Sequence, residues 1–407
     1  MRARIIENLE IERWVNGGDG LGIVKVGPLA GLVVFVPGTV PGDFVDVEIT
    51  RKKKRWARGR VKQLSGSSNR TDAPCKVQDV CGGCPWMQGV PTLQREQLHT
   101  ILQAEVTKRI GREHPDAEIE IPPVISGGDL NYRNRLRLAY KVDANGGVLL
   151  GFRAGGSEML VGIERCEVAR EEINEALPAL KKTLAKRPNE QGEVRLLGYG
   201  GNVAGQIEPV GGRAKGWMEA EVSVEIGDAV LPLPASAFVQ GNTEIATRMA
   251  EHVEDWARRT QGCVAVELFC GAGTFTVPLL KAGMSVTGYD AADDCIHAFD
   301  AATRGWGKAV YRQQDLLGMK PFPENPPVGI DVVLLDPPRS GAGEVIDWVA
   351  GSSAKHVLMI SCDIATGLRD VSALMKANFR CRRVQSYDLF PHTGHQELII
   401  ELERCSH

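Results

Sequence analysis

From Ala237-Phe238-Val239-Gln240-Gly241-Asn242 onward the chain alternates helical and strand patterns, and no other feature narrows the possible folds as far. A helical periodicity near 243 to 258 is followed by the apolar run Val264-Ala265-Val266-Glu267-Leu268, a glycine turn, a second helix and the strand Ser285-Val286-Thr287-Gly288-Tyr289-Asp290. Further strands end at Asp315, Asp336 and Ser361. Five or six such repeats predict a doubly wound, largely parallel sheet. Open sheets of this kind bind ligands beyond the carboxyl ends of their strands, so residues just past each strand are the first candidates for function.

Three of those strand ends carry chemistry in order. Glu267-Leu268-Phe269-Cys270-Gly271-Ala272-Gly273-Thr274 leaves a strand and enters a helix, and Gly271 and Gly273 let a ligand approach the backbone. Thr276 falls where a dinucleotide fingerprint needs a third glycine or alanine, and no Walker lysine is present. Asp290 ends the next strand, where a ribose hydroxyl pair would lie, and Asp336-Pro337-Pro338-Arg339 ends another with two prolines that stop the strand. Together these features fit S-adenosylmethionine better than a nucleotide. Arg339 stands where base-amino methyltransferases place a stacking aromatic, which argues against that chemistry. Val357-Leu358-Met359-Ile360 leads to Cys362, a thiol at a strand end; alone, such a cysteine is more often an inert small hydrophobe, so its case as a nucleophile rests on its surroundings.

Residues 1–63 read as four or five short strands between glycine turns, which predicts a small barrel. Net charge is -3, yet Arg51, Lys52, Lys53, Lys54, Arg55, Arg58, Arg60 and Lys62 share one segment without an acid. With Trp56 among them, this is either a single-stranded nucleic-acid groove or a solvated hairpin with gatekeeping lysines. Beyond the linker Ser65-Gly66-Ser67-Ser68-Asn69, Cys75, Cys81 and Cys84 follow a C-x5-C-x2-C spacing that marks a metal site, with Cys166 the best fourth ligand. The lack of a second C-x2-C pair favours a 4Fe-4S cluster over zinc. An amphipathic helix spans Leu93 to Ile110, and Tyr132-Arg133-Asn134-Arg135-Leu136-Arg137-Leu138-Ala139-Tyr140 alternates as a half-buried strand with a basic face, suited to phosphates or simply solvated. Strands and one helix follow to about 230, until Pro232 and Pro234 mark the change of pattern. The expected division is thus a barrel at 1–63, an α+β region bearing the cysteines at 64–236, and an α/β domain at 237–407. No signal peptide or membrane span is apparent, so a cytoplasmic protein is expected, in which ten cysteines do not form a disulfide framework and any that cluster serve metal binding or catalysis.

Over nearly its whole length the chain resembles the S-adenosylmethionine-dependent RNA uracil-C5 methyltransferases. The resemblance is carried by F-V-Q-G-N (238–242), L-F-C-G-A-G-T-F-T (268–276), L-L-D-P-P-R (334–339), S-C-D-I-A-T-G-L-R-D (361–370) and F-P-H-T-G-H-Q-E (390–397). It implies a Rossmann-like methyltransferase domain, an OB-like TRAM barrel and a 4Fe-4S cluster on the cysteines. It further implies Cys362 as nucleophile, Glu397 as base, Phe238 against the target base, and Gln240, Phe269, Thr274, Asp290 and Asp315 as cofactor contacts, with Asp336 near both cofactor and base. His392 and His395 are alternative metal ligands that the resemblance assigns to loop structure; Cys263, Cys270, Cys295, Cys381 and Cys405 are taken as structural. The implied protein is a monomer acting on structured RNA, with 23S ribosomal RNA ahead of transfer RNA. Methylation at cytosine C5 and a non-enzymatic RNA-binding redox sensor are the competing readings. Asp363 and Ile364 replace the family's asparagine and proline beside the nucleophile, and an anionic Asp363 is expected to raise the pKa of Cys362.

Overall fold

The computed structural model of the chain describes residues 5–318 and 329–405. A seven-stranded sheet organises the C-terminal part, in the order Ala309–Gln313, Ser285–Asp290, Val264–Leu268, Val332–Leu335, His356–Ser361, Glu397–Arg404 and Phe379–Tyr387. The first five strands are parallel. Growth of the sheet reverses at Val264–Leu268, which opens a crevice at its carboxyl end. Val332 to Leu335 and Val357 to Ile360 are fully buried, as continuous apolar runs must be when helices cover both faces.

The last two strands depart from the parallel expectation. Phe379–Tyr387 and Glu397–Arg404 are joined by residues 388–396 with no helix between them, so they pair antiparallel, and Glu397–Arg404 inserts beside His356–Ser361, also antiparallel. This insertion brings the start of the final strand to the edge where the parallel strands finish.

Helix Thr243–Thr260 is capped by the Asn242 side chain, which accepts from the Ile245 N–H at 3.3 Å, and packs under one sheet face through Ile245, Met249, Val253 and Trp256. On the other face helix Ile364–Lys376 joins helix Pro91–Arg109, contributed from the middle of the chain. Leu98, Ile101, Leu102, Val106 and Ile110 share one core with Leu368, Val371 and Leu374, so the periodic stripe read from 93–110 is buried against the methyltransferase-like sheet.

The N-terminal sheet has six strands, one more than the upper expectation, in the order Ile5–Glu10, Phe44–Lys52, Trp56–Ser65, Val33–Val36, Gly20–Ile23 and Arg13–Trp14. Its basic run is partly neutralised by neighbouring strands: Arg58 pairs with Asp19 at 3.0 Å, and Arg60 and Lys62 with Glu48 at 2.6 and 3.0 Å. Arg51 lies over Trp56, 5.5 Å from the ring centroid. Trp14 is fully buried and stacks on Trp86 with centroids 4.5 Å apart, and the Trp86 N–H donates to the His392 carbonyl at 3.0 Å.

Between these parts lies an antiparallel sheet, Lys215–Met218, Asn202–Pro209, Gln191–Tyr199, Arg135–Val142, Val148–Arg153 and Leu160–Gly162, with helix Glu171–Leu184 on its apolar face. Among the described residues no helix is long and apolar enough to cross a membrane.

Candidate active site

A cavity of about 680 Å³ opens at the carboxyl edge of the large sheet. At one end the backbone turns sharply after Leu268: Phe269 has φ +64°, Gly271 +50° and Gly273 +88°. Positive φ is costly for an aromatic residue, and Phe269 is held there because its N–H and that of Cys270 both donate to the Tyr289 carbonyl, at 2.8 and 3.1 Å. Gly273 serves packing, since a Cβ there would stand 3.1 Å from the Phe299 ring. Asp290 fixes the loop by accepting from the Gly271 and Ala292 N–H groups, each at 2.9 Å. Its two oxygens retain acceptor capacity toward the cavity, as a ribose diol requires. Gln240, Phe269, Gly271, Thr274, Asp290 and Asp336 all line this cavity. Gly273 and Asp315 are not among its lining; the Asp315 carboxylate instead accepts from the Leu317 N–H at 3.0 Å, two residues past the end of strand Ala309–Gln313.

At the other end stand Cys362, Glu397, Arg339 and His395. Ser361 pairs with Leu398 across the antiparallel ladder, so the same register taken one step further sets Cys362 opposite Glu397. Glu397 is only 5% exposed; burial first, and then the charge of Asp336, lift its pKa well above the usual carboxylate range, against an opposing pull from Arg339. The Cys362 thiol is pushed up to about 11 by burial, by Glu397 and by Asp336, with Arg339 pulling it down. Asp336 itself is raised to about 7 by burial and by the charge of Asp290, and accepts a 3.4 Å contact from Gln240 Nε2. The Asp363 carboxylate caps helix Ile364–Lys376, accepting from the Thr366 N–H at 2.8 Å and the Thr366 hydroxyl at 3.1 Å.

Phe238 lines the same cavity and is 63% exposed, leaving a ring face free for a base. Arg133, Arg135 and Arg137 form the adjacent wall. The sequence reading missed two neighbours of the thiol. Arg339 was visible in D-P-P-R but was weighed only as the missing aromatic; Asn16, which lines a recess of about 50 Å³ on the far side of Cys362 with Arg339 and His395, had no local signal. Cys270 and Cys295, read as structural, also line the cofactor end. His392 is buried in the loop, accepting at its carbonyl from Trp86 and donating its N–H to Gln94 Oε1 at 3.0 Å.

Cys75, Cys81, Cys84 and Cys166 face a second cavity of about 210 Å³. Among the described residues no three His, Cys, Asp or Glu side chains converge closely enough to hold a metal ion as they stand. Four thiols line that cavity, and its one carboxylate, Glu167, is paired with Arg165 at 3.1 Å; a set of four thiols suits iron-sulfur or zinc chemistry.

A reversed parallel sheet with a glycine turn after its central strand and an acid ending the next defines the class of S-adenosylmethionine-dependent methyltransferases. Residues 6–62 match the TRAM domain family. The chain is 29% identical to the 23S rRNA (uracil(1939)-C(5))-methyltransferase RlmD of Histophilus somni over 95% of this chain and 94% of that protein. It is likewise 29% identical to the enzyme of the same name from Chromohalobacter salexigens, over 98% and 89%. The structure of the Pyrococcus abyssi tRNA (uracil-54, C5)-methyltransferase in complex with S-adenosyl-L-homocysteine shares the fold, with a TM-score of 0.72 and 21% identity over 97% of this chain and 99% of that one. Over nearly its whole length the chain is thus similar to S-adenosylmethionine-dependent RNA uracil-C5 methyltransferases.

Proposed function

We propose that this protein methylates C5 of a uridine in 23S ribosomal RNA, with Cys362 as nucleophile and Glu397 as the base. The observation that carries the reading is that these two side chains, each one step past the last ladder pair Ser361 and Leu398, line one cavity that also holds Asp290 and the glycine turn. Uracil C5 is too weak a nucleophile to take a methyl group unaided. The Cys362 thiolate adds to C6, forming a carbon–sulfur bond and moving an electron pair toward O4 and C5. S-adenosylmethionine supplies the methyl group to C5, its sulfonium–methyl bond breaking so that it leaves as the neutral thioether S-adenosyl-L-homocysteine. Glu397 then removes the C5 proton, the pair re-forms the C5–C6 double bond, and the carbon–sulfur bond breaks to return the thiolate. Burial makes Glu397 a stronger base than a solvated carboxylate, and Arg339 opposes the charge that builds beside it. Phe238 stacks on the flipped base, recovering part of the few kcal/mol, on the order of 2 to 4, lost on unstacking. Gln240, Phe269, Gly271, Thr274, Asp290 and Asp336 hold the cofactor.

The same reading places a 4Fe-4S cluster on Cys75, Cys81, Cys84 and Cys166, and a cytoplasmic monomer as the working form. The cavity they share supports the ligand set. Anaerobic protein should contain matching iron and sulfide, which Cys166→Ser should lower; stoichiometric zinc would replace the cluster in this account.

The deciding experiment is mass spectrometry of nucleosides from 23S and transfer RNA of a deletion strain, complemented by the native gene or by Cys362→Ala. Loss of one 5-methyluridine from 23S RNA, restored only by the native gene, is expected. Loss confined to transfer RNA would move the substrate, and loss of 5-methylcytidine would replace the reaction.

A further inference from the structure

Three guanidinium groups line one wall of the catalytic cavity, and a fourth stands beside them on the next strand. Arg133, Arg135 and Arg137 line it, and Arg195 pairs in register with Arg137 on the next strand. Arg137 is held by Glu193 at 2.6 Å and Arg195 by Glu208 at 2.9 Å. Arg133 and Arg135 pair with no carboxylate among the described residues; their contacts are to carbonyls, Arg133 Nε to Arg135 at 3.2 Å and Arg135 to Ser236 at 3.4 Å, and because Arg133 also lines the cavity of the four cysteines, Arg135 is the less balanced of the two. Both are half-buried. Burial and the like charges of Arg195, Arg137 and Arg133 disfavour the Arg135 cation, with only Asp294 opposing. Packing unbalanced cations together costs stability, and a polyanion at the same wall offsets that cost.

A strand that delivers a flipped base to Phe238 must leave its phosphates at the mouth of this cavity. The planar guanidinium fork matches a phosphodiester with two parallel hydrogen bonds. We propose that Arg133 and Arg135 form a phosphodiester subsite that grips the RNA backbone immediately beside the flipped uridine. This rests on the reading of the cavity as the base-accepting site. The subsite is braced from behind. The Arg133 N–H donates to the Val168 carbonyl at 2.7 Å and its carbonyl accepts from Arg170 at 3.0 Å, so the segment that carries Cys166 fixes its position. The Arg133 guanidinium also lies 5.6 Å from the Phe390 ring centroid, in the loop that leads to Glu397.

The test is fluorescence anisotropy of the full-length protein with a uridine-containing single-stranded RNA across a salt series. Arg135→Gln should weaken binding about 10-fold at 0.1 M salt, as expected for a charge-assisted hydrogen bond. It should also lower the slope of log affinity against log salt by about 0.7, one phosphate contact. Arg135→Lys should restore the slope but only part of the affinity, because a point charge lacks the fork. Arg133→Gln should repeat the loss. S-adenosylmethionine affinity by calorimetry and melting temperature report folding. An unchanged salt slope in Arg135→Gln, or a fall in cofactor affinity of the same size, overturns the subsite while leaving the methylation reading intact. A native protein that transfers no methyl group to RNA overturns the methylation reading, whatever the salt slopes show.

Discussion

Replacing Glu397 by glutamine should raise the reactivity of Cys362 while abolishing turnover, and the size of the first effect follows from the site. The thiol stands at about 11, two units above its ordinary 9.0, with burial the first cause and the Glu397 charge the second. At pH 8 about one thiol in a thousand is then ionised, and removing the like charge that ranks second after burial raises that fraction by less than the roughly 100-fold that the whole shift represents. Alkylation by iodoacetamide, followed at the Cys362 peptide by mass spectrometry, reads the thiolate directly; resolution by peptide is needed because Cys263 is exposed. The gain depends on Glu397 being ionised in the native protein. Since its own pKa is raised, the difference between native and variant should shrink as pH falls through that value. With RNA and S-adenosylmethionine present, the variant should accumulate a covalent protein–RNA adduct on denaturing gels, because nothing removes the C5 proton. An alkylation rate at pH 8 equal to or below native would refute the electrostatic account, and absence of the adduct would refute the assignment of the base.

Asp363→Ala should cost about 1 kcal/mol in urea unfolding through the lost helix cap, while Asp363→Asn stays within a few tenths, and neither should move the alkylation pH profile of Cys362. Glu267 is 1% exposed and raised to about 8 by burial, so the folded protein holds a proton there that the unfolded chain releases near 4.5. Stability relative to Glu267→Gln should therefore fall as pH rises from about 5 to 8, by about 1.4 kcal/mol per unit, measured by denaturant titrations at several pH values. Trp14→Ala removes a fully buried ring, its stack on Trp86 and a 2.7 Å hydrogen bond to the Thr39 carbonyl. A loss of about 3–5 kcal/mol in urea unfolding is expected.

What the sequence made legible was local. Apolar runs ending in Asp290, Asp336 and Cys362 announced both strands and function, because a covered parallel sheet writes itself as unbroken hydrophobic segments and its ligands lie just beyond them. Glu397 was found through a motif, whereas its pairing with Cys362 depends on an antiparallel insertion between strands distant in the chain, which no periodicity encodes. Asp363 looked electrostatically important by adjacency alone. Its side chain was committed three residues ahead, to Thr366, where the backbone donors of the helix were free. The basic run around Trp56 looked unopposed because its acids, Asp19 and Glu48, arrive from neighbouring strands.

The stack of Trp14 on Trp86, tied through one backbone hydrogen bond to the His392 carbonyl, has a consequence for how an RNA is chosen. A domain on a loose tether can find any pair of features within its reach. Here the N-terminal sheet is locked to the loop that ends in Glu397, so the two contact regions keep a set separation and orientation. On the proposed reading the protein would work as a caliper: an RNA would be accepted when its folded shape presents a protruding uridine at the right span from the surface that meets the first sheet.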